Sequence, residues 1–210
     1  MKERRVCDIE LRKMDDGTQV ITGYAIVFNK ESRDLGGFKE TISPGALDKT
    51  NMSDVVALFN HDANIVLGRT DKTLKLSIDE NGLRYDIIPP KNEQAKSLIE
   101  SISRGDIKGS SFGFTIGEGG DNWEKPTTDK DLWKRTITDI DRLYDVSPVV
   151  FPAYEATDTA VAKRSLGMLR DKIEREETER LEQEKAKERA RIENYHKKLK
   201  LQLLKCKEGV

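Results

Sequence analysis

Apolar and polar residues alternate in short runs up to about residue 163, and a helical spacing replaces that alternation afterwards. Val6 to Leu11 reads as a strand, Asp15-Asp16-Gly17 as a hairpin turn, and Gln19 to Phe28 as the returning strand. Val20, Thr22, Tyr24, Ile26 and Phe28 fall at period two, which predicts a half-buried strand. Gly23, in the opposite phase, offers another backbone a close approach. Residues 29–54 read mostly as loop, with a flexible Leu35-Gly36-Gly37-Phe38. Within them Ser43 as N-cap and Pro44 at the first helical position would open a short helix. Val55 to Phe59 predicts a buried strand that delivers His61 at its exit. Gly68-Arg69-Thr70 leads into an alternating strand, Leu74 to Ile78. Asp79 to Gly82 then turns the chain into a second strand, Leu83 to Ile87, which Pro89-Pro90 ends.

Ala95, Leu98, Ile99 and Ile102 lie at i, i+3, i+4 and i+7 and predict a helix over Asn92 to Arg104, capped by Asn92 and ended by Gly105. Ile107 leads to Lys108-Gly109-Ser110-Ser111-Phe112-Gly113-Phe114, which continues as an alternating run to Ile116. Gly117 to Asp131 is polar and reads as a surface loop. Trp133 to Thr138 and Ile140 to Val150 read as strands, with Pro148 and Pro152 placing the far end of the second at an edge or outside its sheet. From Ser165, Leu166, Leu169 and Ile173 begin a helical stripe that Tyr195, Leu199 and Leu203 resume. Glu and Lys/Arg three or four apart support an isolated helix between them, but the apolar seam is too sparse for a coiled coil. The expected organisation is a folded domain over 1–163 and a charged helical tail over 164–210.

Composition sharpens that division. Residues 165–210 carry 13 Lys/Arg against 10 Asp/Glu, and the rest of the chain 24 against 28. Neither part is basic enough to point to nucleic acid. Cys7 and Cys206 stand near opposite ends with no spacing of a zinc site or disulfide framework, and read as free thiols in a reducing compartment. Met-Lys-Glu-Arg-Arg has no apolar run behind it, so no signal peptide is expected. No window approaches the roughly 18 apolar residues of a membrane span.

The candidate chemistry lies in the Ser-Ser segment. Small residues leave its backbone open on one side, and a serine held there is a nucleophile if a base can reach it. The chain has two histidines, His61 in the folded part and His196 in the tail. His61 is the candidate base and Asp145 the candidate acid that orients it, so the three are expected to form one site. Each piece has a plainer reading: a histidine after a strand is often structural, Gly-Ser-Ser-Phe-Gly is often a tight backbone passage, and Asp145 reads equally as a surface or salt-bridge carboxylate.

Two other chemistries fail on the sequence. Gly109 to Gly113 matches G-x-S-x-G, and Ser111, Asp145 and His196 follow the α/β-hydrolase order. That motif needs a helix after the serine, whereas Phe112 to Ile116 continues as a strand. His61-Asp62 lacks a second histidine in the domain, so no metal or other cofactor is expected.

Seven segments in order resemble the prohead proteases of tailed bacteriophages, serine peptidases similar to the herpesvirus capsid-maturation protease. They are Gly23 to Phe28, Phe38 to Leu47, Leu58 to Asp62, Leu67 to Thr70, Gly82-Leu83 with its strand, Gly109 to Phe114, and Asp145 to Tyr154. The resemblance spans roughly residues 10–163 and implies an α+β fold: a small β-barrel with surrounding helices, here followed by the long charged C-terminal helix. It implies His61 as general base and Ser111 as nucleophile, because the family's serine directly precedes Phe-Gly-Phe; Ser110 is the alternative. The herpesvirus relatives use a second histidine as third member. None exists in this domain, so either an acid serves or the site is a dyad. Asp145 matches a position where the phage family has an acid, often Glu, and is one methylene shorter.

The resemblance further implies a serine endopeptidase that works inside the assembling prohead, in the host cytoplasm. It would cut the scaffolding portion of the major capsid protein and then itself. The portal, the prohead shell and a second copy of the chain are further implied partners; nucleic acid and membrane are not. The tail would be a targeting or scaffold-like segment. The alternative is a non-catalytic assembly or scaffolding protein that retains the protease fold.

Overall fold

The computed structural model describes residues 9–128, 132–151 and 158–207, with the side chains of 158–162 and 199–207 outside that description. Cys7, the Cys206 side chain and Pro152 therefore lie outside the described residues, as does the start of the first expected strand. The chain divides into two compact units, Met1–Thr159 and Ala160–Val210.

In the first unit, β1 (Ile9–Lys13) and β2 (Gln19–Val27) form the hairpin predicted at Asp-Gly. Gly17 adopts φ +82° there, a conformation that costs a residue with a Cβ. β2 departs from the half-buried expectation, because both of its faces are covered. Ile21 and Ala25 point into the core, and so do Ile26 and Phe28. A bulge between Tyr24 and Ile26 in the pairing with the partner strand changes the inward phase from odd to even positions. The period-two reading through Val20, Thr22 and Tyr24 therefore followed the face away from that core cluster.

Residues 29–54, read as loop, contain β3 (Phe38–Ile42). Its alternation is hidden by Glu40, a charged residue at a buried position. Ser43 to Leu47 does not form the expected helix; the segment makes successive turns with N–H groups bonding three residues back, such as Ala46 to Ser43 at 3.1 Å. β4 (Val56–Phe59) is joined by a two-residue turn to β5 (Asp62–Arg69), a strand with no clear apolar period. β6 (Leu74–Ile78) and β7 (Gly82–Ile87) form the second predicted hairpin. The single helix of this unit among the described residues, α1 (Glu93–Ser103), starts where Asn92 Oδ1 accepts the Ala95 N–H at 2.9 Å and buries Ala95, Leu98 and Ile102. Then follow β8 (Gly109–Ile116), β9 (Asp121–Glu124) inside the expected surface loop, β10 (Trp133–Ile137) and β11 (Ile140–Val149).

The strands divide into three sheets, ordered β1-β2-β7-β6, β3-β10-β9 and β5-β4-β11-β8. The α+β class holds. None of the three ladders closes on itself, so no closed barrel is present among the described residues. One apolar core, including Ile21, Tyr85, Phe112, Ile137 and Leu143, draws on all three sheets. β11 is an inner strand where β4 and β8 flank it at Asp145 and Val146, and its far end, Ser147 to Val149, is laddered to β8 alone. Pro148 is accommodated inside its ladder: opposite it stands Ser110, and its carbonyl accepts the Asn60 N–H at 3.0 Å.

The β3-β10-β9 sheet is locked by charge. The Arg135 guanidinium donates to Glu40 Oε2 at 2.9 Å and to Asp121 Oδ2 at 2.7 Å, and lies 5.3 Å from the centre of the Trp123 ring. Arg135 and Glu40 are both buried. Glu40 is thus a strand residue because its cation lies opposite it in the parallel β3–β10 register.

The second unit is helical: α2 runs Asp158–Lys207, 50 residues, and begins ahead of the expected tail boundary. Its described side chains between Lys172 and Lys198 are nearly all exposed, with ion pairs such as Lys197–Glu193 at 2.7 Å. None of its windows among the described residues is long and apolar enough to cross a membrane.

Candidate active site

The site begins with a strained turn. Asn60 and His61 are the two central residues of the β4–β5 hairpin, flanked by the Phe59–Asp62 pair. Both have positive φ, +52° and +58°, as a type I′ turn requires. Asn tolerates that region; His does so at a cost of about 1–3 kcal/mol, which the surroundings must offset. Asn60 supplies part of the offset by two bonds to the end of β11. Its N–H donates to the Pro148 carbonyl and its Oδ1 accepts the Val150 N–H, each at 3.0 Å. The turn is thereby fixed against β11, with His61 at its tip.

β8 and β11 supply the rest. Their antiparallel register sets Ser110 opposite Pro148, Ser111 opposite Ser147, Phe112 opposite Val146 and Gly113 opposite Asp145. Successive side chains take opposite faces of the sheet. Phe112 belongs to the apolar core, and the Ser110 hydroxyl lies 2.6 Å from the phenol oxygen of the fully buried Tyr85. Ser110 thus faces inward. Ser111 and Gly113 take the other face, together with Asp145 and Ser147 opposite them.

His61 comes down on that second face. Its Nδ1 lies 2.6 Å from Asp145 Oδ1, a short bond of the charge-assisted kind. Asp145 is largely buried at 15 % side-chain exposure, while the imidazole is 35 % exposed. With the carboxylate accepting, the proton belongs on Nδ1 and the basic lone pair on Nε2. Ser147, fully buried, donates its hydroxyl to the same Asp145 oxygen at 2.7 Å, and its Oγ stands 3.4 Å from His61 Nδ1. Ser111 is the cross-strand neighbour of Ser147, with Cβ atoms of such a pair about 5 Å apart. A hydroxyl, an imidazole in its Nε2-basic tautomer and an oriented carboxylate therefore gather on one sheet face. That set can activate an oxygen nucleophile and return its proton to a leaving group.

His61, Ser111 and Asp145 are drawn from three strands or turns and brought to the same side of one sheet. Ser110 is directed to the other side. His196 sits exposed on α2, 6.3 Å ring to ring from Tyr195. The sequence reading passed over four residues. Ser147 had a signal, since i and i+2 of a strand share a face, but only once Asp145 was taken seriously. Asn60 had a weak one, as the commonest residue of a type I′ turn. Gly113 and Tyr85 had none, because their partners lie 32 and 25 residues away in the chain. Gly113 matters because a Cβ built on it would fall on Asp145 Oδ2.

The family model for the Caudovirus prohead serine protease matches residues 7–172, most of the chain. No curated protein and no solved structure matches it.

Proposed function

We propose a mechanism for this chain, which belongs to the Caudovirus prohead serine protease family and so to the capsid maturation proteases: Ser111 is the nucleophile, His61 the general base and Asp145 the residue that orients it. The observation that carries the proposal is the 2.6 Å bond between His61 Nδ1 and Asp145 Oδ1 on the sheet face that also holds Ser111. His61 Nε2 takes the Ser111 proton as Oγ attacks the scissile carbonyl. The tetrahedral intermediate collapses as the same nitrogen returns the proton to the leaving amine. Water, deprotonated in turn by His61, then hydrolyses the acyl-enzyme. Asp145 holds the imidazole in the Nε2-basic tautomer and stabilises it when it becomes charged.

The proposed substrate is the scaffolding portion of the major capsid protein, followed by the protease itself, inside the assembling prohead. The proposed role of residues 164–210 is to carry the enzyme to its shell or scaffold. Between Lys172 and Lys198 the helix is exposed with charges all round and offers no apolar face for a core of its own, which supports a binding role over a packing one for that stretch. Portal, shell and a second copy of the chain are proposed contacts of the same assembly.

The test is intact mass over time, for wild type and Ser111→Ala, each co-expressed with the capsid protein of the same genome. Truncation of the capsid protein with wild type alone is expected and gives the cleavage sites. Equal masses in both, with shells assembling, would overturn the endopeptidase reading in favour of a non-catalytic assembly protein. Deleting residues 165–210 should leave cleavage of the resulting peptide sites intact and reduce incorporation into shells.

A further inference from the structure

An aspartate does not orient a histidine unaided, because its carboxylate turns about χ2. Two features of the sheet remove that freedom here. Asp145 Oδ1 accepts from both His61 Nδ1, at 2.6 Å, and the Ser147 hydroxyl, at 2.7 Å. Ser147 stands two residues along β11, on the same face, and is fully buried, so solvent does not compete for its proton. The other carboxylate oxygen lies over the α-carbon of Gly113, the residue directly across the ladder, in the space a side chain would fill. One oxygen is therefore aimed by a donor and the other is placed by a missing Cβ.

We propose that Ser147 and Gly113 are positioning residues for the reaction, forming a seat that fixes the plane of the Asp145 carboxylate and through it the tilt and tautomer of His61. The inference rests on the assignment of His61 and Asp145 to the protease site. It gives Gly113 a role set by the carboxylate rather than by backbone conformation, since Gly113 is not among the residues of positive φ. It gives Ser147 the role of a donor rather than of core filler.

The test uses the full chain, as wild type, Ser147→Ala, Ser147→Cys and Gly113→Ala, with fold checked by circular dichroism. The first readout is the proton NMR signal of the His61 Nδ1–H, which a short bond to a carboxylate moves far downfield; His61→Gln assigns it. The second is the rate of covalent labelling by diisopropyl fluorophosphate, which phosphorylates an activated serine and releases fluoride. Both Ser147 variants should move the proton upfield and slow labelling by about 10- to 100-fold, the range for loss of a hydrogen bond to a charged group. Cysteine keeps the volume and is only a weak donor, so it separates aiming from packing. Gly113→Ala should abolish the downfield signal and cost about 10³-fold or more in labelling, as loss of an oriented base does.

A Ser147→Cys protein with wild-type signal and rate would overturn the role of Ser147, and a folded Gly113→Ala protein with both unchanged would overturn that of Gly113. If Gly113→Ala does not fold, the Ser147 pair decides the proposal. Wild type that is never labelled, with a downfield proton that still shifts in the variants, would sink Ser111 as nucleophile and leave the seat standing.

Discussion

Arg135 and His61 each lie in a group of ionisable side chains clasped between strands, and the two groups differ in what their cation can do. Arg135 is held by Glu40 and Asp121 and covered by the Trp123 ring. Its guanidinium is permanently charged, it donates from Nε and Nη1 to fixed partners, and no proton can leave. His61 Nδ1 lies 2.6 Å from one carboxylate oxygen, and the imidazole is one-third exposed. An imidazole, unlike a guanidinium, can both give up and take up a proton. A buried charge cluster closed around a guanidinium stabilises a fold, whereas one that is open to solvent at an imidazole can act on something else.

The largest effects should come from the open cluster and appear in rate alone. Ser111→Ala and His61→Ala should each lower peptide cleavage by at least about 10⁴-fold, and Asp145→Asn by about 10³- to 10⁴-fold, with melting temperature little changed. Cleavage assays beside thermal unfolding would show it; a variant that cleaves at the wild-type rate while folded would break the comparison at its functional end. The closed cluster should answer in the opposite way. Arg135→Met leaves Glu40 buried without its cation and should cost about 3–5 kcal/mol of unfolding free energy, measured by urea titration. Its labelling rate by diisopropyl fluorophosphate should stay near wild type under conditions where it remains folded.

Much of this contrast could not be read in advance. Glu40 sat in a stretch read as loop, since a carboxylate breaks apolar alternation and its cation stands 95 residues away. β9 was hidden for the same reason, its Asp121 being a partner of Arg135 and not an outward turn residue. His61 and Asp145 could be paired as types of residue, but their contact spans 84 residues and depends on the pairing of β4 with β11 and on the Asn60 bonds that tie the turn to it.

The adjacent serines sharpen the comparison further. Ser110 and Ser111 are equally buried, at 6 % exposure. Ser110→Ala should leave the Tyr85 hydroxyl without this partner and cost about 1–3 kcal/mol in stability, with the cleavage rate essentially retained. The same change one residue later should abolish the rate and spare the stability. A slow Ser110→Ala enzyme of full stability would reverse the two assignments.

The smallest effect belongs to an exposed pair. The Tyr24 hydroxyl bonds Asp79 Oδ2 at 2.6 Å and is the main cause holding that carboxyl below its ordinary range, helped by the backbone N–H groups of Asn81 and Gly82. A carboxyl lowered on folding contributes stability above its unfolded value and loses it as pH falls through the folded one. Tyr24→Phe should therefore lower the melting temperature slightly on the neutral side and leave it almost unchanged at the acid end, flattening the slope between them.

The sequence by itself determined the elements whose causes are local: the Asp-Gly hairpin of β1–β2, the β6–β7 hairpin, α1 with its Asn92 cap, and the long charged helix at the end. Each rests on turn chemistry, capping or periodicity within about a dozen residues. It also offered the proposed site residues, His61 because the chain has only two histidines, and a serine of the 110–111 pair and Asp145 as candidates that the family resemblance supports. The tertiary structure decided what depends on register between distant strands. It set the inward phase of β2 by a bulge, gave Glu40 its cation, and placed β11 inside its sheet. It turned Ser110 to the core and Ser111 to the His61 face, since a period of two makes one residue the difference between buried structure and chemistry.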